Sequence, residues 1–378
     1  MRRILQLLAA AALAAPLLPA SAIVMPVQDA PSAPAVAQAA QPQSGEEVGT
    51  EESLLALVSP ARSATITRTG AWYVKVHLTG LKLRPGTEIS VSNVDGSEVY
   101  RYTAAGGLTA TPTATGFWAM SITGDTAVVT VHGRGTAAID KITRGFTAEE
   151  FAARPQPMSV CGTNDWRDVV CFQSSNPTEY ARTRPVARLL RNGTSLCTGW
   201  RVGPNNRMLT NNHCFTSPGG IEVWFNYDCT TCGGTVAATT TKVLASQVLR
   251  THAGLDYTLF TVNDFAAISS FGFIELDTRR PAVGEQMYII QHPGGLMKKL
   301  GLRDSSTATG FCQVRAVGVN GSAAGADISY MCDTAGGSSG SVVLSRTTHR
   351  AIALHHFGGC PNQGVRIELI EPQIRSLL

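Results

Sequence analysis

Beyond residue 70 the chain alternates between apolar and polar positions. Trp72, Val74, Val76 and Leu78 point one way and Tyr73, Lys75 and His77 the other, which predicts a half-buried strand. Ile89 and Val91 alternate with Ser90 and Ser92 before an Asp95-Gly96 turn, and Ala127, Val129 and Val131 alternate after Gly124-Asp125. These runs predict a small antiparallel β-sandwich over 68–146. From about 155 to 378 many short β-type runs follow, broken by Gly, Asn and Pro: Val223-Trp-Phe225, Tyr257 to Val262, Met287 to Ile290, Ser341 to Leu344 and Ala351 to Leu354. Strands at that spacing argue for an all-β sandwich or barrel and against βαβ units. Residues 23–63, mostly Ala, Pro, Gln, Glu and Ser, read as a disordered linker, and 147–160 as an exposed junction.

Composition narrows the class. With 15% charged residues and 37 Gly, the chain is not a coiled coil or long helical bundle. Its 31 basic and 27 acidic residues form no concentrated basic run, so no nucleic-acid partner is expected. Arg2 and Arg3, the apolar stretch Ile4 to Leu18 and the small residues Ala20-Ser-Ala22 form a signal peptide over 1–22. No stop-transfer segment follows, so the mature protein is expected to be secreted, monomeric and without a membrane anchor. All nine cysteines lie after residue 160, in a compartment where disulfides are the default. The lone Cys229/Cys232 spacing, without a second matching pair, is a weak zinc signal, and no metal or cofactor is expected.

Three clusters carry chemistry. Met208-Leu-Thr-Asn-Asn-His-Cys214 sets a histidine after an apolar strand, Gly254-Leu-Asp-Tyr-Thr-Leu259 opens a strand with an aspartate, and Asp333-Thr-Ala-Gly-Gly-Ser-Ser-Gly-Ser341 holds a serine in a glycine-rich turn. Each alone reads as a loop or turn feature. Together, His213, Asp256 and Ser339 stand in one of the known chain orders of a Ser-His-Asp triad. A hydroxyl needs an imidazole to accept its proton, and the imidazole needs a carboxylate to fix its tautomer. The amides of Gly337 and Ser339 can converge on a developing oxyanion, where one donor is worth about 3–4 kcal/mol.

At these residues, and at Ser195-Leu-Cys-Thr-Gly199, Val223-Trp-Phe-Asn-Tyr227 and Gln291-His-Pro-Gly-Gly295, the chain resembles the bacterial branch of the chymotrypsin-fold serine endopeptidases. The resemblance covers about 160–378 and is strongest to lysyl endopeptidases, then to glutamyl endopeptidases. It implies a catalytic domain of two six-stranded antiparallel β-barrels over 155–378, acting on protein or peptide substrates, with the triad in the crevice between them. It implies that 68–146 is a propeptide, or alternatively an accessory domain, with cleavage between Arg154 and Val160. Ser338 stands where zymogen-activated animal relatives have an aspartate, so activation by that ion pair is ruled out. The resemblance also implies bridges Cys197–Cys214 and Cys161–Cys360, and Cys171 with Cys229 or Cys232. Cys312 and Cys332 are left over for one another, and one of Cys229 and Cys232 remains unpaired.

The residue before the cut is where alternatives stay open. Asp333 lies six residues before Ser339, where trypsin-like enzymes hold the pocket-floor carboxylate, so cleavage after Arg or Lys is expected. In the glutamyl relatives a histidine selects instead, and His356 with Thr334 matches it, with Gly358 along the same pocket wall. The segment Pro361-Asn-Gln363 lacks the acid that lysyl relatives carry after the His-Gly-Gly-type segment, which argues against strict lysine specificity. An inactive barrel serving as a binding or adhesion protein is the alternative from another class, but it gives no reason to keep all three triad residues.

Overall fold

Period-two side-chain alternation builds two barrels and the layer between them. In strand Met287–Gln291, Met287 and Ile289 enter one barrel core while Tyr288 and Ile290 enter a separate cluster shared by both barrels. Strand Val342–Ser345 does the same, with Val343 inside the barrel and Val342 and Leu344 in the shared layer. The structure, a computed structural model, describes residues 46–103, 116–154 and 159–378, all within one compact unit. The expected signal peptide, the expected linker up to residue 45 and the junction at 155–158 lie outside the described residues.

The first barrel contains Val186–Arg191, Ser195–Arg201, Met208–Thr210, Ile221–Phe225, Thr241–His252 and Tyr257–Val262, all antiparallel. It closes where Trp200 pairs with Leu209. Leu189, Met208, Phe215, Val223, Phe225 and Phe260 fill it. The second sheet runs in the order Arg167–Asp168, Lys299–Gly301, Met287–Gln291, Val342–Ser345, Ala351–Phe357, Asn362–Arg366, Asp327–Tyr330, Val314–Val319. Lys299–Gly301 and Val314–Val319 are two halves of one barrel position, interrupted by the loop that carries Cys312, and a Gln286/Gln313 bridge closes the ring. The all-β, double-barrel, chymotrypsin-like fold is therefore present. Disulfides join Cys161 to Cys360, Cys171 to Cys232, Cys197 to Cys214 and Cys312 to Cys332, and Cys229 is free and buried.

Ahead of the barrels lies a two-sheet sandwich. One sheet contains Gly49–Val58, Gly135–Gly145 and Tyr73–Leu83, the last pairing also with Phe117–Trp118 and Ile122–Thr123. The other runs Ala64–Thr67, Thr126–His132, Glu88–Ser92, Val99–Thr103. This corrects the linker reading for 46–63 and moves the start of the sandwich upstream of 68. In Gly49–Val58, Leu54, Ala56 and Val58 face the sandwich core while Leu55 and Leu57 face outward. Strand Tyr73–Leu83 is also buried on both faces over its first half, not on one as expected. Val74, Val76 and Leu78 fill the sandwich, whereas Tyr73 and Lys75 are covered by the first barrel. There the Lys75 ammonium pairs with the Glu222 carboxylate, which also accepts from Ser121 and from Trp224 Nε1 at 2.9 Å. Lys242 Nζ bridges to Glu98 at 2.6 Å and to the Ser121 carbonyl at 2.8 Å. The Arg188 guanidinium lies over the rings of Tyr73, Trp224 and Tyr227. No helix among the described residues is long and apolar enough to cross a membrane.

Candidate active site

His213 sits just past Met208–Thr210, the strand that closes the first barrel, and the Cys197–Cys214 bridge pins the loop that carries it. Asp256 immediately precedes strand Tyr257–Val262 with φ +44, a left-handed backbone that Asp adopts more readily than most residues. Asn211 fixes that turn by donating to the Asp256 carbonyl at 2.8 Å. The Asp256 carboxylate then accepts the His213 amide at 3.0 Å and faces His213 Nδ1 at 2.7 Å. Burial raises the Asp256 pKa, but the hydrogen bonds and positive charges of His213 and His356 outweigh burial and hold the carboxyl well below its usual range. His213 Nε2 is buried and has no partner among the described residues.

The serine loop is held against the strand Ser195–Arg201. The Thr198 amide donates to the Ser339 carbonyl at 2.8 Å and its hydroxyl donates to the Gly337 carbonyl at 2.9 Å. Cys214 Sγ lies 3.9 Å from the same Ser339 carbonyl, so the histidine loop and the serine loop meet there. Gly340 and His355 tie the far side of the loop to strand Ala351–Phe357. Gly337 adopts φ +87, and a Cβ there would come within 2.5 Å of Leu196 Cδ2, so glycine is required. The Ser338 amide is spent on the Ala335 carbonyl, whereas the amides of Gly337 and Ser339 meet no acceptor among the described residues. Two donors without an acceptor, one on Ser339 itself and one two residues before it, are the kind of groups that can serve a developing negative charge.

His356 stands elsewhere than expected. Its Nδ1 is 3.2 Å from Asp256 Oδ2 and its Nε2 is 2.6 Å from Asp327 Oδ2, with the ring fully enclosed. It therefore lies behind Asp256 with both nitrogens committed, and its expected contact with a substrate carboxylate is corrected. Burial works against its charge, but the two carboxylates push its pKa up to about 9. Neighbouring His355, hydrogen-bonded to Tyr330 at 2.7 Å, is pushed down to about 3 by burial and by the positive charges of His356 and His213.

The other expected pocket residues are likewise occupied. The Asp333 carboxylate is almost fully buried and accepts the amides of Cys161 at 2.8 Å and Asp165 at 2.7 Å, one on each oxygen. Burial pushes its carboxyl above the usual range despite those donors. Thr334 donates to Asn362 Oδ1 at 2.8 Å, and its amide donates to the Ser159 carbonyl. Ser159 Oγ lies 2.1 Å from where a Cβ on Gly358 would stand. Thr198 and Asp327 were missed in the sequence. Asp327 did carry a signal, because like Asp256 it is a carboxylate at the head of an apolar strand. Cys197, His213 and Cys214 lie close enough together to suggest a metal site, but their two sulfurs are bonded to each other.

Residues 197–354 match the family model described as trypsin-like peptidase domain. The chain is 25% identical over 336 residues to secreted RxLR effector protein 73 of Plasmopara viticola, covering 82% of this chain and 80% of that protein. Among solved structures it is similar to a serine endoprotease from Yersinia pestis, at 14% identity and TM-score 0.41, over 53% of this chain and 65% of that one. It is also similar to a Glu endopeptidase in complex with MPD, at 16% identity and TM-score 0.41, over 58% of this chain and 100% of that one. The family match, set on the double barrel described above, supports a trypsin-fold serine peptidase.

Proposed function

We propose that this chain is a secreted serine endopeptidase that hydrolyses peptide bonds through an acyl-enzyme on Ser339. The observation that carries this reading is His213, whose amide and Nδ1 are both held by Asp256 while Nε2 has no partner among the described residues. In the proposed step, Nε2 takes the proton of Ser339 Oγ as that oxygen attacks the peptide carbonyl carbon. The resulting oxyanion is held by the amides of Gly337 and Ser339, and the carbon–nitrogen bond breaks as His213 returns the proton to the leaving amine. Water repeats the sequence to release the acid. Behind the triad, His356 and Asp327 act as positioning residues that hold Asp256 in place.

Export is supported by the leader pattern, by four disulfides and by a relative named as secreted. The Asp333 reading of Arg/Lys selection and the His356 reading of Glu selection both need a free charged group, and each group has its partners inside the protein. A residue preference not set by charge is therefore the proposed one. The test is digestion of a denatured protein mixture by the purified enzyme, with mass spectrometry of every new terminus, beside a Ser339→Ala control. Cuts absent from the control and spread over uncharged residues support the reading. Cuts confined to sites after Arg and Lys, or after Glu, return selection to Asp333 or His356. Equal digestion by the control refutes the triad.

A further inference from the structure

The first barrel carries a seventh strand that does not belong to it. Glu46–Glu47 pairs antiparallel with the edge of Ser195–Arg201, with Glu46 opposite Leu196 and Glu47 opposite Ser195. The same strand, two residues on, holds the Ser339 carbonyl through the Thr198 amide. The pairing is anchored beyond one pair of residues: the Val48 amide donates to the Thr194 carbonyl at 2.8 Å, and the Val48 side chain is fully buried with Leu190, Leu196, Tyr73 and Trp224. Arg154 Nη1 reaches Glu46 Oε1 at 3.0 Å and also donates to the Glu47 carbonyl. The Glu46 carboxylate lies against Gly336, where its Oε2 is 1.9 Å from the position a Cβ would take. Gly336 directly precedes Gly337, so this carboxylate borders the loop that offers the unpaired amides.

Direction gives the contact its meaning. Because the strands are antiparallel, the chain from Glu46 to Val48 runs away from Thr198 and hence away from Ser339. A peptide lying on this edge in the same sense has its carboxyl-terminal half there, which is the leaving-group side of a bond presented to Ser339. We propose that the edge Ser195–Leu196, bordered by Gly336, is a docking edge for an extended acidic peptide strand, and that its occupant in the intact chain is the chain's own segment Glu46–Val48. The main-chain ladder supplies adhesion that tolerates many sequences, as in strand addition generally, while the Gly336 surface and the Val48 site select side chains. The segment thus competes with the leaving-group half of any protein substrate. This inference rests on the peptidase reading above.

The experiment compares two reactions at Ser339. A fluorophosphonate probe phosphonylates the serine, displacing fluoride, and needs nothing on the leaving-group edge; casein must lie across it. Arg154→Ala and, separately, Glu46→Lys with Glu47→Lys are expected to raise kcat/KM on casein by about fivefold or more while the probe reacts at the parent rate. A synthetic peptide of residues 46–52, added to Arg154→Ala, should restore inhibition of casein cleavage, and the same peptide with lysines for its first two glutamates should not. Parent-like casein rates in both variants, with labelling intact, overturn the inference alone, as does an equal rise in both reactions. Failure of the probe to label the parent chain at all overturns the peptidase reading and the inference with it.

Discussion

Replacing Asp327 by Asn removes one of two anions that hold His356. Both ring nitrogens face carboxylate oxygens, Asp256 Oδ2 at 3.2 Å and Asp327 Oδ2 at 2.6 Å. Ionised carboxylates only accept, so both nitrogens carry hydrogen and the ring is an imidazolium. Burial opposes that charge and the two carboxylates override it, which moves the group from 6.5 up to about 9. A difference of about 2.5 pH units corresponds to about 3 kcal/mol. Because the folded-state pKa lies above the unfolded one, that stabilisation is fully present below pH 6.5 and fades as pH rises through 9. With Asn at 327 only Asp256 remains, and a drop of one to two pH units costs roughly 1.5–3 kcal/mol on the acidic side and nearly nothing above pH 10. His213 shares the Asp256 carboxylate in parent and variant alike. Neighbouring His355 is pushed down to about 3, and the Tyr330 hydroxyl bonded to it is pushed well above its ordinary value by burial. Neither changes charge between pH 6 and 9. The assay is urea unfolding with disulfides intact, in a Ser339→Ala background that prevents self-digestion, at half-unit steps from pH 6 to 10. The gap between parent and Asp327→Asn should be widest at pH 6 and close toward pH 10. A gap of constant size would refute the imidazolium.

Asp333→Ser deletes the acceptor for the amides of Cys161 and Asp165, and is expected to lower stability by about 2 kcal/mol while leaving the cleavage profile unchanged. A selective loss of cuts after Arg and Lys in the peptide digest would instead make Asp333 a pocket floor. Lys75→Met strands the Glu222 carboxylate, fully buried, with one fewer cation, so a loss of about 3–5 kcal/mol in thermal or urea unfolding is expected. A loss below about 1 kcal/mol would show that Lys242, Ser121 and Trp224 suffice to hold that charge.

The strands were legible where alternation met a clear solvent face, as in Thr126–His132 with Ala127, Val129 and Val131 inside. They were not legible at Gly49–Val58, where alternation was present but apolar residues occupy both faces and the surrounding Ala, Pro, Gln and Glu dominate any composition average. Tyr73 and Lys75 misled for a related reason. A polar face on a strand normally means water, but here it meets Trp224 and Glu222 of another layer, and that meeting depends on how the sandwich and barrel dock. His213, Asp256 and Ser339 stood out as candidates because each lies in a local setting that the proposed chemistry demands, whereas Thr198 did not, since its two bonds to the serine loop, one from its amide and one from its hydroxyl, depend on how that loop packs on the strand.

His356 shows where reading by position ends. It directly precedes the Phe357-Gly358 segment of the expected pocket wall, and by sequence distance it belonged with substrate. Strand Ala351–Phe357, however, carries a register break between His355 and Phe357 in its pairing with Asn362–Arg366. A bulge re-aims the side chains around it, so simple alternation cannot assign their faces. His356 turns inward to join Asp256 and Asp327, and His355 turns to Tyr330. One carboxylate, Asp256, thereby serves two imidazoles. Asp327, from a third strand, supplies the second anion that helps to hold the charge on the ring behind it. Asp256 faces His213 with its position fixed from behind, and that arrangement needs the strands of both barrels to be in place before its parts come together.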